Sequence, residues 1–261
     1  MKNSSSASKA ILGTSTLIAV DIGNTAATCG LFKSGALELF ESCLHDEIPN
    51  FVKKCLIGGN SGSINVIISS VVPKATLKFK EAFKGQKARF WVVGENVKVP
   101  FKHKYRSIKQ LGADRIVNVY GALKRFKPPL LVIDFGTAIT FDYVSEKGVF
   151  EGGMIVPGPE LSFEALIRKA ARLPKDARLP HRTSSFLGTT TYDCMKSGIL
   201  EGYGAMADGL VHRFKQRFGT SLKVIATGGF ASHLQPYTHS FDVLDPQLSI
   251  YALHTLFQSL K

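Results

Sequence analysis

Apolar and polar positions fall into two similar series of blocks along this chain. The first series opens with Leu17-Ile-Ala-Val20, an apolar run that ends in Asp21 and a glycine turn and reads as a buried strand. Thr28–Phe32 and Ala36–Cys43 predict two more strands. A helix near Asp46–Leu56, a strand at Ile64–Val72, a helix near Lys74–Phe83 and a strand at Arg89–Val93 follow. The second series repeats the start: Leu131-Val-Ile-Asp134, a glycine turn, then strands at Ile139–Val144 and Val149–Val156. After it come a helix from about Pro159 to Arg172, a polar stretch to Leu187 and a long helix near Thr191–Phe218. A strand at Lys223–Thr227, a helix near Phe230–Gln235, a strand near Phe241–Leu244 and a helix near Leu248–Leu260 end the chain.

Both series read β-β-β-α-β-α-β, with elaborations in the second. Three antiparallel strands followed by α/β crossovers, occurring twice, are the pattern of the ribonuclease H-like, actin-like fold. The expectation is therefore an α/β protein of two such lobes, each a mixed five-stranded sheet with helices, facing across a nucleotide cleft. Residues 16–110 would form the first lobe and 111–261 the second, with 1–15 a flexible Ser-rich tail. A helix from Gly112 or Asp114 to about Phe126 would join them. It carries Ile116, Val119, Tyr120 and Leu123 at helical spacing and Lys124, Arg125 and Lys127 at its end, where cations suit the dipole.

Composition narrows the function classes. The 261 residues are 44% hydrophobic and 20% charged, as in a globular protein. No stretch reaches the roughly eighteen uninterrupted apolar residues of a membrane helix, and the start shows no convincing leader, so no membrane partner is expected and the cytoplasm is the expected location. Cys29, Cys43, Cys55 and Cys194 are widely spaced, and no histidine pair has metal-ligand spacing, which argues against a transition-metal enzyme. The formal charge of +13 is spread along the chain without an RNA-recognition or helix-turn-helix signature, so nucleic acid is not expected as a partner.

Chemistry enters at the two glycine turns. A tight turn with glycine lets backbone N–H groups approach phosphate oxygens, threonine hydroxyls add donors, and an aspartate at the strand end can hold a hydrated cation. Asp21-Ile-Gly-Asn-Thr25 and Asp134-Phe-Gly-Thr137 occupy matching places in the repeat, which makes the pair far more specific than either alone. Ala226-Thr-Gly-Gly229 follows a strand and opens a helix, a place where an adenosine moiety can lie against the backbone. There is no G-x-x-x-x-G-K-[ST], and the Asp134-Phe135-Gly136 triplet lacks the other protein-kinase motifs. Leu111-Gly-Ala-Asp-Arg115 has two readings: Asp114 as a plain N-cap, or as a carboxylate that deprotonates an alcohol at a helix start.

Taken in order, these segments, with Ser69-Ser-Val-Val-Pro73, Gly152-Gly-Met-Ile-Val-Pro-Gly158 and Ser197-Gly198, resemble the type III pantothenate kinase family from about residue 17 to the end. The resemblance implies ATP-dependent phosphorylation of the primary hydroxyl of pantothenate, the first step of coenzyme A synthesis, with Mg²⁺. It implies ATP binding by Asp21, Ile22, Gly23, Asn24, Thr25, Ala26, Ala27, Thr28, Gly136, Thr137, Gly228 and Gly229. Asp134 would bind a monovalent cation, K⁺ or NH₄⁺, and Asp114 would be the general base. Tyr105, Gly112, Ala113, Asp114, Arg115 and Thr191 would contact pantothenate, and the chain would form a homodimer. Tyr105-Arg-Ser-Ile108 stands where the family commonly has Tyr-x-Asn-Pro. The rival readings are a sugar-type kinase of the same fold and a catalytically silent DNA-binding regulatory relative.

Overall fold

The computed structural model describes residues 16–57, 63–169, 178–180, 182–183 and 185–260. The tail at 1–15 and part of the polar stretch before Leu187 lie outside the described residues. The chain divides into two compact units. Unit 1 takes the residues up to Val99, then Gly112–Val117 and the chain from Ser249; unit 2 takes Pro100–Leu111 and Asn118–Leu248. The partition thus differs from a single cut at 110/111, because the C-terminal helix and the segment around Asp114 belong with unit 1. Sequence periodicity finds an element but not the partner it packs on.

Unit 1 contains strands β1 (Leu17–Ile22), β2 (Ala26–Lys33), β3 (Ala36–Leu44), β4 (Ile64–Ser70) and β5 (Ala88–Val92), with helices α1 (Ile48–Leu56) and α2 (Pro73–Glu81). The strand order is β3-β2-β1-β4-β5. β1 pairs antiparallel with β2 and parallel with β4, and this central place explains its unbroken apolar run. The edge strand β3 instead alternates between more and less exposed positions. α1 buries Ile48, Phe51, Val52 and Cys55, one apolar stripe at helical spacing, and ends on Lys53 and Lys54. Phe51 is fully buried in the core with Ile18, Val20, Ile68 and Phe79, where truncation to alanine costs about 3–5 kcal/mol.

Unit 2 contains β6 (Lys102–His103), β7 (Leu130–Phe135), β8 (Ala138–Val144), β9 (Val149–Pro157), β10 (Lys223–Thr227) and β11 (Val243–Leu244). Its sheet runs β11-β10-β7-β8-β9-β6. Removing β6 leaves the order of unit 1, with β7 in the place of β1, so the duplication read from the sequence is present. The expected five strands are six here, since Lys102 and His103 add a parallel pair beside β9 that is too short to show periodicity. Helix α3 (Ala113–Arg125) begins in unit 1 and ends in unit 2.

Three more helices lie in unit 2: α4 (Pro159–Lys169), α5 (Thr191–Phe218) and α6 (Ala231–Leu234). The 28 residues of α5 begin at an N-cap, Thr190, whose hydroxyl accepts the Asp193 N–H. Gly204 lies in its buried face because the Tyr237 backbone passes there, and a Cβ would strike that carbonyl. Helix α7 (Leu248–Gln258) closes the chain. In unit 1, Tyr251 meets Phe32 edge-on and His254 stacks on it. No described helix is long and apolar enough to cross a membrane.

Candidate active site

In unit 1 the end of β1 meets the start of α3. Asp21 lies partly buried at the strand end, and the following turn is closed by Gly23 N–H donating to the Ala26 carbonyl at 3.0 Å. Asn24 and Thr25 are exposed at its tip, whereas Ile22 and Ala27 turn their side chains into the core. Of the eight residues expected to contact ATP here, those two can offer only backbone. Gly23, Ala26 and Thr28 are partly accessible.

The carboxyl groups of Asp21 and Asp114 are close enough to repel. Burial first, and then the Asp114 charge, push Asp21 up to about 6, while the nearby Ser69 and Ser249 hydroxyls pull it down. Those hydroxyls do not complete its hydrogen bonding: Asp21 Oδ1 and Ser69 Oγ are both buried with no hydrogen-bond partner of normal geometry. A buried carboxylate oxygen with no partner, next to a second carboxylate, favours the protonated form and suits a bound cation.

Asp114 is also raised, by burial, against the lowering influence of the Arg115 N–H and guanidinium. Its Oδ1 accepts the Arg115 N–H at 2.7 Å, so the side chain folds back over the first turn of α3. The Arg115 N–H does not engage the other carboxylate oxygen, Oδ2. Gly112 makes the fold-back possible, since a Cβ there would collide with Asp114 Oδ1. Ala113 is partly accessible and Arg115 is buried, with 6% of its surface exposed. Thus Asp21, Gly112, Asp114 and Arg115 are gathered in one unit although about ninety residues separate them in sequence.

In unit 2, β7 ends in Asp134, placed like Asp21 but surrounded differently. Asn118, from α3, donates its Nδ2 to Asp134 Oδ2 at 2.8 Å. Gly228, at φ 91°, packs against the same carboxylate: a Cβ there would strike Asp134 Oδ1 and come within 2.6 Å of the Phe135 nitrogen. The Phe230 N–H donates to the Phe135 carbonyl at 3.0 Å, so the Gly228-Gly229 turn is fastened to the end of β7. Gly158 donates to the Thr137 carbonyl at 2.9 Å, and a Cβ on it would press on the Gly136 and Thr137 carbonyls. Asp134, Gly136, Thr137, Gly228 and Gly229 therefore form one cluster.

The other expected substrate residues lie on other elements of unit 2. The Tyr105 ring stacks on Phe150 with centroids 5.9 Å apart. Thr191 is exposed at the first position of α5, while its neighbour Thr190 is engaged as the cap, bonded to the Asp193 N–H and carboxylate. In place of the family's usual Asn-Pro, Ser107 is extended and Ile108–Gln110 form a single 3₁₀ turn. Sequence reasoning missed Asn118 and Ser249. Asn118 lies four residues after Asp114, one helical turn on, a spacing that could have drawn attention to it. Nothing local marks Ser249, which reaches Asp21 only through tertiary packing. Among the described residues, no group of three or more His, Cys, Asp or Glu is arranged to hold a metal ion.

Comparisons with known proteins bear on the family and the fold. The family model described as type III pantothenate kinase matches residues 17–213. A type III pantothenate kinase from Bacillus cytotoxicus is 35% identical over 252 residues, covering 93% of this chain and 95% of that protein. Among solved structures, a conserved Campylobacter jejuni protein assigned to the Baf family of transcriptional activators aligns with TM-score 0.57 at 20% identity, over 93% of this chain and 98% of its own. A Sinorhizobium meliloti protein assigned as a 2-dehydro-3-deoxygalactonokinase aligns with TM-score 0.56 at 12% identity, over 94% and 99%. At such identities these two show the shared fold alone, a duplicated ribonuclease H-like α/β architecture. The family match and the B. cytotoxicus relative place this chain in the type III pantothenate kinase family of enzymes.

Proposed function

We propose that the protein transfers the γ-phosphoryl group of ATP to the primary hydroxyl of pantothenate, forming 4′-phosphopantothenate and opening coenzyme A synthesis in the cytoplasm. The observation that carries this reading is the Asp21–Asp114 carboxylate pair, with a buried, partnerless oxygen on Asp21 and Asp114 folded back onto the Arg115 N–H through Oδ1.

Asp114 Oδ2 accepts the proton of the attacking hydroxyl while its other oxygen stays on the Arg115 N–H, so the base keeps its orientation through the transfer. Its raised affinity for protons, caused by burial, moves it toward the range useful to a general base near neutral pH. The exposed Asn24 and Thr25 and the Gly136-Thr137 turn present donors to phosphate oxygens. Gly228 and Gly229 offer a surface without side chains to the adenosine. Tyr105 and Thr191 contact the acceptor. Positioning and charge stabilisation supply most of the rate in such transfers.

A divalent ion suits the donor set of unit 1. Mg²⁺ is bound by one or two carboxylates, water and substrate phosphates rather than by a protein cage, and Asp21 Oδ1 lacks a partner. Asp21 would hold it, and bound there it would offset charge on the phosphates. Asp134, with one oxygen on Asn118, is the proposed site of the monovalent cation, K⁺ or NH₄⁺. A homodimer is supported by the large apolar side chains that unit 2 exposes: Met154, Ile155, Leu166, Phe186 and Leu187.

The test is mass-spectrometric detection of the product with ATP, Mg²⁺ and K⁺, offering pantothenate and hexoses in parallel. Phosphopantothenate alone is the expected product. A phosphorylated hexose, or salt-sensitive DNA binding with no ADP release, would transfer the assignment to a rival reading.

A further inference from the structure

His45 lies outside every segment assigned above. It is partly buried in the turn between β3 and α1, and its Nε2 stands 2.9 Å from the carbonyl oxygen of Gly23. A carbonyl oxygen can only accept, so Nε2 carries the proton and donates. We propose that His45 is a positioning residue for ATP, whose Nε2–H locks the Gly23–Asn24 peptide so that the Asn24 N–H is presented to phosphate. This inference rests on the reading of Asp21–Thr28 as a phosphate-binding turn.

The argument is one of peptide geometry. In a trans peptide the C=O and the following N–H point to opposite sides, so a partner that holds the Gly23 carbonyl also fixes where the Asn24 N–H aims. The preceding plane is already set, because Gly23 N–H donates to the Ala26 carbonyl at 3.0 Å. Without His45 the 23–24 plane would lose its hold on the Gly23 carbonyl, and glycine gives that plane freedom to rotate. Asn24 is exposed, as a donor offered to a ligand must be.

The histidine is itself held. Leu44 N–H donates to Glu47 Oε2 at 2.9 Å and Glu47 N–H returns to the Leu44 carbonyl at 2.9 Å, closing the turn on which His45 sits. Asp46 pairs with Lys78 of α2. A histidine that merely stapled this corner would affect folding; one that aims a phosphate donor affects ATP.

The experiment compares His45→Ala and His45→Gln with the wild-type chain. Gln places an amide donor at similar reach. His45→Ala should raise KM for ATP roughly three- to tenfold, the loss expected for one ordinary hydrogen bond. It should leave kcat and KM for pantothenate near wild type, with a small fall in Tm from the lost internal hydrogen bond, and His45→Gln should recover most of the affinity. With ATP bound, hydrogen exchange should show weaker protection of the Asn24 N–H in His45→Ala than in the wild-type chain. An unchanged KM for ATP, a loss shared equally by both substrates, or a Gln variant no better than Ala overturns the inference while the kinase assignment stands. If His45→Ala does not fold, His45→Asn, whose shorter amide stops short of Gly23, takes its place with the same outcomes. A wild-type chain that neither binds nor turns over ATP removes the phosphate-turn reading and this inference together.

Discussion

Asp21 and Asp134 end the first strand of two sheets with the same strand order, and each precedes a glycine turn, yet their surroundings diverge. Asp134 is braced: Asn118 donates to one oxygen and Gly228 packs against the other. Asp21 is exposed to conflict: one oxygen is buried without a partner and Asp114 repels the group. A duplicated fold thus supplies two similar frames, and tertiary neighbours decide the chemistry of each. The braced aspartate is suited to hold the Gly228-Gly229 turn against the end of β7. The conflicted one is suited to an event, because a cation, a phosphate-bound metal or a proton relieves its strain.

The contrast can be broken by substitution, and the largest effect belongs to unit 1. Asp114→Asn should lower kcat about 10²–10⁴-fold with the fold intact, as judged by circular dichroism and steady-state kinetics; a kcat within tenfold of wild type would remove its role. In unit 2 the expected damage is to stability. Gly228→Ala must adopt φ 91° and push into the Phe135 backbone, which should cost about 2–5 kcal/mol in a denaturant titration.

Asp21→Asn should do the opposite in the ligand-free chain. A folded-state value raised to about 6 from an ordinary 3.8 means that the native state binds more protons between those limits, so stability falls as pH rises through that window and stays lower above it. Removing the charge should therefore stabilise the ligand-free protein at pH 7 by up to about 2–3 kcal/mol, with the gain vanishing toward pH 4, while activity is lost. The smallest effect separates two neighbours. Thr190→Ala should cost about 1 kcal/mol through the lost α5 cap and show in Tm. Thr191→Ala should leave Tm unchanged and raise KM for pantothenate.

Much of this was legible in the sequence, for physical reasons. Central strands buried on both faces, such as β1 and β7, announce themselves as unbroken apolar runs ending in a polar residue. The apolar positions at helical spacing in the helix that starts at Ala113 are a local signal too. What the sequence hid depends on distance along the chain. Ser249 reaches Asp21 across more than two hundred residues, and the C-terminal helix joins unit 1 by packing that no periodicity reveals. Lys102–His103 makes too short a strand to leave a pattern. The different surroundings of the two aspartates were equally hidden, since D-x-G-x-T and D-F-G-T read alike until Asn118, Gly228 and Asp114 are seen beside them.

The most direct test of the conflicted pair is the pH dependence of kcat/KM for pantothenate in the wild-type enzyme. Carboxylates that must be ionised, and whose proton affinity is raised by burial and, for Asp21, also by the Asp114 charge, predict activity that rises with pH along an acidic limb. The limb should have an apparent pKa above the ordinary carboxylate range and should be displaced in the residual activity of Asp114→Asn. A profile that stays flat down to pH 5 in an enzyme still folded there would contradict the account.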